Sequence, residues 1–181
     1  MKIGKPVLRL NNFEFIVFLG IVMTPWGVFR GTREEFLKYI SVKKNKKNLE
    51  LLEQSLVNLV DQEYIAVCED GKHVIIYIRE KIEEEMNIGP KMIKRCRDIA
   101  KKNNKTFDKT IQLMKVWLAI QICYKNQPFT STRLEELTNL SSYQIREAIK
   151  LLENEGDIFK TSRIGNYMYC QGKNVDLCPW W

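Results

Sequence analysis

Two stretches of this chain predict the same succession of elements, and this internal repeat constrains the fold more than any other feature. In each stretch an apolar helix precedes a short helix, a tight turn and an amphipathic helix, and two β-prone runs around a turn follow. Asn87-Ile-Gly-Pro90 separates the stretches, because a Gly-Pro break after an acidic run is typical of a boundary. The sequence therefore predicts two small units of one architecture.

The first stretch opens with an apolar helix from Phe13 to Met23. Thr32 followed by Glu35 forms the pattern of a capping box, which predicts a short helix that runs to Ile40 after it. The next helix, after a basic turn at residues 43–47, is predicted from apolar residues at helical spacing: Leu49, Leu52, Leu56, Leu59 and Val60. Two β-prone runs, residues 64–68 and 73–78, flank a Gly-containing turn and predict a hairpin.

The second stretch repeats this order. Residues 107–124 predict a long central helix, and Thr130 opens a short helix that ends at Thr138. Ser141 or Ser142 caps a third helix, which Glu155-Gly156 ends. The buried stripe predicted for this helix consists of Ile145, Ala148, Ile149 and Leu152. The closing strands are predicted at residues 157–160 and 166–170, on either side of a turn.

A short helix, a tight turn and a second amphipathic helix form a helix-turn-helix, and the hairpin after it is a wing. The run from Leu137 to Gly156 resembles the winged-helix regulators of bacteria, and it is most similar to the GntR type. The residues at the motif positions are Ile145, Arg146, Glu147, Ala148, Ile149, Leu152, Glu155 and Gly156, and Arg163-Ile-Gly165 resembles the wing tip. Ser142 departs from the pattern, since those regulators often carry Arg there, and no metabolite-binding domain is expected after the wing.

The predicted fold is therefore α+β and mostly α, with two tandem winged-helix domains joined by a basic helix. The expected divisions are residues 1–86, a linker and basic helix at 87–109, and residues 110–181. Tandem winged helices in a short chain also resemble replication initiator and replisome-organiser proteins of plasmids and phages.

The positive charge of the chain is concentrated in its second half. Residues 1–86 contain 13 Lys/Arg and 13 Asp/Glu, whereas residues 87–181 contain 16 and 9 and carry the whole net charge of +7. Residues 91–109 hold eight bases against two acids. Such a stretch favours a polyanion, and nucleic acid is the usual one. A solvated helix face beside a domain boundary is the alternative interpretation.

The second unit is the expected DNA reader. A recognition helix presents polar side chains near its N-terminus to base edges in the major groove of double-stranded DNA. Arg146 would contact guanine and Gln144 adenine, Arg133 would bind phosphate, and Lys160 and Arg163 would lie along the backbone from the wing. The predicted DNA-binding residues are Arg133, Ser142, Tyr143, Gln144, Arg146, Lys150, Lys160 and Arg163, with Lys91, Lys94, Arg95, Lys101 and Lys102 from the basic helix.

The first unit is expected to assemble rather than to read DNA, because its third helix and its wing carry acids that would repel phosphate. We expect a homodimer, and a protein partner would bind through this unit or through the terminal Trp180-Trp181. The alternative function is an adaptor in which both units bind proteins without direct DNA reading. The expected process is transcription regulation or replication initiation of a mobile element.

Other classes of function find little support in the sequence. His73 stands without a nucleophile or metal partner at a recognisable spacing, and the five cysteines form no C-x-x-C pair. No phosphate-binding glycine loop occurs. We therefore expect no catalysis, metal or cofactor. Unpaired cysteines and the absence of a long apolar run indicate a cytoplasmic protein that does not enter a membrane.

Overall fold

The computed structural model describes residues 5–79, 90–124, 131–163 and 166–171. Within them the chain is mixed α+β and mostly helical, with seven α-helices and five β-strands, so the predicted fold class is confirmed at this level. The chain divides into two compact units. The continuous unit comprises residues 11–83, and the split unit comprises residues 1–10 together with residues 84–181. The described N-terminal residues 5–10, which we expected in the first domain, thus group with the second.

The continuous unit follows the order helix, strand, helix, helix, hairpin. Its elements are α1 (Asn12–Val22), β1 (Val28–Gly31), α2 (Arg33–Tyr39), α3 (Lys46–Asp61), β2 (Ile65–Asp70) and β3 (His73–Ile78). A 3-10 turn at Pro25–Gly27 joins α1 to β1. The three strands form one antiparallel sheet in the order β1-β3-β2.

Short polar motifs set where the helices of this unit begin. The hydroxyl of Thr32 accepts a hydrogen bond from the backbone N–H of Glu35, and the Glu35 carboxylate accepts one from the backbone N–H of Thr32. The predicted capping box of α2 is therefore confirmed. Asn11 and Glu14 make the same reciprocal pair at the start of α1. Each box satisfies two N–H groups that a helix start otherwise leaves without partners.

The core of the continuous unit forms around α1, whose residues 14–21 are all buried. Helix α3 packs against it, and the apolar residues Leu52, Leu56 and Leu59 of α3 are buried. A polar link also joins the two helices, because the Asn58 side-chain amide donates to the Glu14 carboxylate at 2.7 Å. Side chains on every side of α1 are buried, and all of them except Glu14 and Gly20 are large and apolar, which is typical of a central helix.

Strand β1 was not predicted from the sequence. Its four residues are too few for a visible alternation, and they become a strand by pairing with β3, with Val28 opposite Tyr77 and Gly31 opposite Val74. A second difference is that Lys46 and Lys47 lie in the first turn of α3 rather than in the preceding turn.

The split unit contains a 3-10 turn at Lys5–Arg9 and, after the continuous unit, four helices and a hairpin. These later elements are α4 (Pro90–Lys102), α5 (Phe107–Tyr124), α6 (Ser131–Thr138), α7 (Ser142–Asn154), β4 (Ile158–Arg163) and β5 (Asn166–Gln171). The two strands pair antiparallel along their full lengths. The long helix at residues 107–124 and the closing hairpin are as predicted.

Helix α5 lies at the centre of the split unit. Its residues 110–121 are all buried, and it contacts α4, α6, α7 and the 3-10 turn. In that turn Val7 and Leu8 are fully buried. The N-terminal segment is therefore part of this core, although the whole continuous unit separates it from α4 along the sequence.

The turn between α6 and α7 has the features of a tight helix-helix connection. Asn139 adopts a left-handed backbone conformation with φ +54°, which Asn tolerates better than most residues. Ser141 caps α7 by a capping box with Gln144. Gly156, with φ +74°, follows the end of α7 and lets the chain turn into β4.

Candidate nucleic-acid interface

Helix α7 presents a narrow outward face beside its buried stripe. Ile145, Ala148, Ile149 and Leu152 are buried as predicted, and Leu151 joins them. The residues that point to solvent at the start and middle of the helix are Tyr143, Arg146 and Lys150. Their spacing of three and then four residues places them on one side of the helix, and Tyr143 is 69% exposed.

Two other predicted contact residues of α7 have partners inside the protein. The Ser142 hydroxyl donates to the Glu135 carboxylate of α6 at 2.6 Å. The Gln144 side-chain oxygen accepts from the backbone N–H of Ser141 at 2.8 Å. Bidentate pairing of Gln144 with adenine would therefore break the capping box.

Arg146 is oriented by its own helix. Its Nε donates to the backbone carbonyl of Ser142 at 3.2 Å. This bond takes one of the five N–H donors of a guanidinium. Such a planar group, fixed near the start of an exposed helix face, has the chemistry that forks onto the two acceptors of a guanine edge.

Glu147 lies at the edge of the outward face, one helical turn after Tyr143, and binds two lysines. Its carboxylate accepts hydrogen bonds from Lys105 at 2.9 Å and from Lys109 at 2.5 Å. These bonds, the one from Lys109 foremost, hold the pKa of Glu147 below its ordinary value. Lys109 also lies over the ring of Tyr143, 5.4 Å from its centroid. The pairing offsets the negative charge that Glu147 would otherwise bring to a DNA-binding face.

Two bases of α4 bind carboxylates of the split unit, and they differ in how far they are exposed. Arg95 binds the buried carboxylate of Asp157 at 3.0 Å, and a hydrogen bond to that carboxylate raises the arginine pKa. Lys102 binds Glu155 at 2.9 Å. Both residues were predicted DNA contacts. At these ion pairs of the α7–β4 junction the Arg95 side chain is 26% exposed, whereas that of Lys102 is 70% exposed.

The remaining bases of α4 face solvent. They are Lys91, Lys94, Arg97 and Lys101, and all four are exposed. Arg97 was not among the predicted contacts, although its place in the run of eight bases was a visible signal. The opposite face of the helix is buried through Met92, Ile93, Cys96, Ile99 and Ala100. The helix therefore packs on the core while a basic surface remains outside.

The remaining predicted contacts of the split unit are Arg133 on α6 and two residues of β4. Arg133 pairs with Glu136 on α6 at 2.8 Å, and both side chains are more than half exposed. Lys160 and Arg163 lie in β4, but their side chains are outside the described residues, as are the rest of the expected wing tip and the Trp180-Trp181 tail.

The continuous unit offers a different surface at the corresponding helix. The solvent face of α3 includes Glu50, Gln54, Val57 and Asp61. In its hairpin, Glu69 binds Arg33 at 2.6 Å. Acids and an aliphatic side chain at these positions do not favour phosphate.

His73 is exposed at the start of β3, opposite Asp70. No three His, Cys, Asp or Glu side chains within the described ranges cluster as a metal ion would require. None of the described helices is long and apolar enough to cross a membrane.

Comparison with models of known protein families finds no match for this chain, and a search of curated proteins finds no significant relative.

Proposed function

We propose that both units are winged helices. In the continuous unit, the order α1-β1-α2-α3-β2-β3 and the pairing of β1 beside the hairpin support this assignment. In the split unit, α5, the α6-turn-α7 pair and the β4–β5 hairpin support it. The hairpins would be the wings, and α7 would be the recognition helix of the split unit.

We infer further that the protein binds double-stranded DNA through the split unit. The observation that carries this proposal is the outward row Tyr143, Arg146 and Lys150 on α7, whose neighbouring acid, Glu147, is held by two lysines. A helix with such a face can enter the major groove and place Arg146 against base edges.

The exposed bases of α4 supply the second part of the proposed interface. Lys91, Lys94, Arg97 and Lys101 would contact phosphate and contribute affinity without reading sequence. Arg95 is excluded from this role in the proposal, because its part-buried guanidinium binds the buried carboxylate of Asp157. Lys102 keeps its predicted role, because its side chain is 70% exposed beside its ion pair with Glu155.

The biological setting remains the one expected from the sequence. We propose a homodimer in the cytoplasm that acts in transcription regulation or in replication initiation of a mobile element. Both processes need a protein that binds a particular duplex, and two copies would read a site with two-fold symmetry.

One observation favours a second candidate function, that of a protein-binding adaptor. Trp26 in the continuous unit is 98% exposed, and its backbone has φ +62°, which is rare for a bulky residue. Val28 and Tyr77, paired across β1 and β3, are also exposed. Exposed aromatic and aliphatic side chains of this kind are typical of protein-protein contacts.

A salt series separates the two functions. Fluorescence anisotropy would measure binding of the purified protein to a labelled random duplex of about 30 base pairs as salt rises from about 50 to 200 mM. DNA binding predicts affinity that falls steeply with salt. Absence of binding at the lowest salt would contradict the DNA proposal and leave the adaptor as the better candidate.

A further inference from the structure

Two lysines outside the recognition helix are fixed against it. Lys105 lies in the connection between α4 and α5, and Lys109 lies in the first turn of α5. Their side chains are each 29% exposed, so both are held at the surface rather than extended into solvent. Neither residue was among the individual DNA contacts predicted from the sequence, although both lie in the basic run of residues 91–109.

A single carboxylate holds both ammonium groups. One oxygen of Glu147 binds Lys105 and the other binds Lys109, so two positive charges face one negative charge. An ammonium group has three N–H donors, and each of these hydrogen bonds occupies one of them. The cluster therefore keeps a net positive charge and donors beyond those that bind Glu147.

Tyr143 places this cluster beside the outward face of α7. Lys109 lies over its ring, and Tyr143 precedes Glu147 by one helical turn. A recognition helix in the major groove has a sugar-phosphate backbone on either side, and fixed cationic groups along the helix are suited to contact it.

We propose that Lys105 and Lys109 form a phosphate clamp for the DNA strand that borders the groove entered by α7. The clamp rests on the proposed function, and its ligand is the phosphodiester backbone of duplex DNA. Glu147 holds both lysines in the unbound protein, so that little side-chain freedom is lost when phosphate binds.

The test compares Lys105→Gln/Lys109→Gln with wild type over the same salt series and with the same random duplex. Loss of two phosphate contacts would make the slope of log affinity against log salt shallower by about 2, and affinity at low salt would fall by about tenfold or more. Lys38→Gln/Lys43→Gln removes two exposed lysines from the continuous unit and is the matched control. It would leave both quantities unchanged.

An unchanged slope in the Lys105→Gln/Lys109→Gln protein would overturn the clamp while leaving DNA binding intact. Absence of duplex binding by wild type would instead remove the proposed function, and the clamp with it. If the double variant unfolds, the single variants Lys105→Gln and Lys109→Gln serve in its place, each with an expected change in slope of about 1. Slopes equal to that of wild type in both would overturn the clamp equally.

Discussion

The buried ammonium group of Lys115, near the middle of α5, donates a hydrogen bond to the backbone carbonyl of Leu10. This hydrogen bond fastens the N-terminal segment to the core of a unit whose other elements begin after residue 83. Along the sequence, the first segment of the split unit is therefore followed by the whole continuous unit and then by the rest of the split unit. The stability of the split unit should therefore depend on its first few residues.

Truncation of Leu8 tests this dependence. Leu8 is fully buried, and Leu8→Ala should lower the free energy of unfolding by about 2–5 kcal/mol through lost burial and the cavity left behind. Hydrogen exchange should show faster exchange in α5 and α6, with α3 unaffected. Arg9→Ala is the comparison: it removes an exposed hydrogen bond to the backbone carbonyl of Glu136 on α6 but no buried side chain, and should lower the free energy of unfolding far less. Equal loss of protection in α3 would show that the segment does not belong to the split unit alone.

Substitution of Arg95 and of Lys94 should separate stability from DNA binding. Arg95→Met removes a charged partner of the buried Asp157 carboxylate and should lower the free energy of unfolding by up to about 3 kcal/mol. Lys94→Met, one position earlier and exposed, should change stability by less than about 0.5 kcal/mol. Urea unfolding measures both. In the anisotropy assay, of the two variants in their folded state, only Lys94→Met should weaken duplex binding. Weaker duplex binding by Arg95→Met together with a larger loss of stability in Lys94→Met would refute the structural role of Arg95 and the phosphate-contact role of Lys94.

Arg146 is the residue on which sequence preference should depend. Arg146→Ala should cost about 1–3 kcal/mol of binding free energy at a preferred site and relax discrimination there. The measurement is competition between a selected duplex and a random one. Arg133→Ala, which removes an exposed arginine from α6, is the comparison and should leave the specificity ratio unchanged. Undiminished preference in Arg146→Ala would show that α7 is not the recognition helix.

The ion pairs of Glu147 give a pH-dependent contribution to stability. Because its pKa is lower in the folded protein, the contribution is fully present above the unfolded pKa of about 4.3 and is lost as pH falls through the folded value. Wild type should therefore be more stable than Glu147→Gln at pH about 7, and the difference should shrink toward pH about 3. Urea unfolding at the two pH values measures this. If the stability difference between wild type and Glu147→Gln grew as pH falls, it would contradict the lowered pKa of Glu147 in the folded protein.

Local patterns in the sequence were enough to place most elements. The Thr32 capping box, the long helix at residues 107–124 and the apolar stripe of α7 were predictable because caps and helical periodicity act within a few residues. Strand β1 was not, since four residues carry too little pattern and their conformation depends on a distant partner, β3.

The candidate interface was predictable only in part, for the same reason. The sequence indicates which residues of α7 and α4 are polar, and it places Tyr143, Arg146 and Lys150 correctly on an outward face. It does not show that distant carboxylates bind some of the bases. Asp157 and Glu155 engage Arg95 and Lys102, and these contacts span more than 50 residues of chain.

The sequence by itself determined the order of the helices, the starts that side chains cap, and the excess of positive charge after residue 86. Tertiary structure alone decided that residues 5–10 belong to the core of the split unit and that Glu147 binds both Lys105 and Lys109. It also decided how far each base of α4 is exposed. The physical reason is the distance along the chain over which each kind of interaction acts. Caps and periodicity come from neighbours along the chain, whereas burial and ion pairing depend on which surfaces folding brings together.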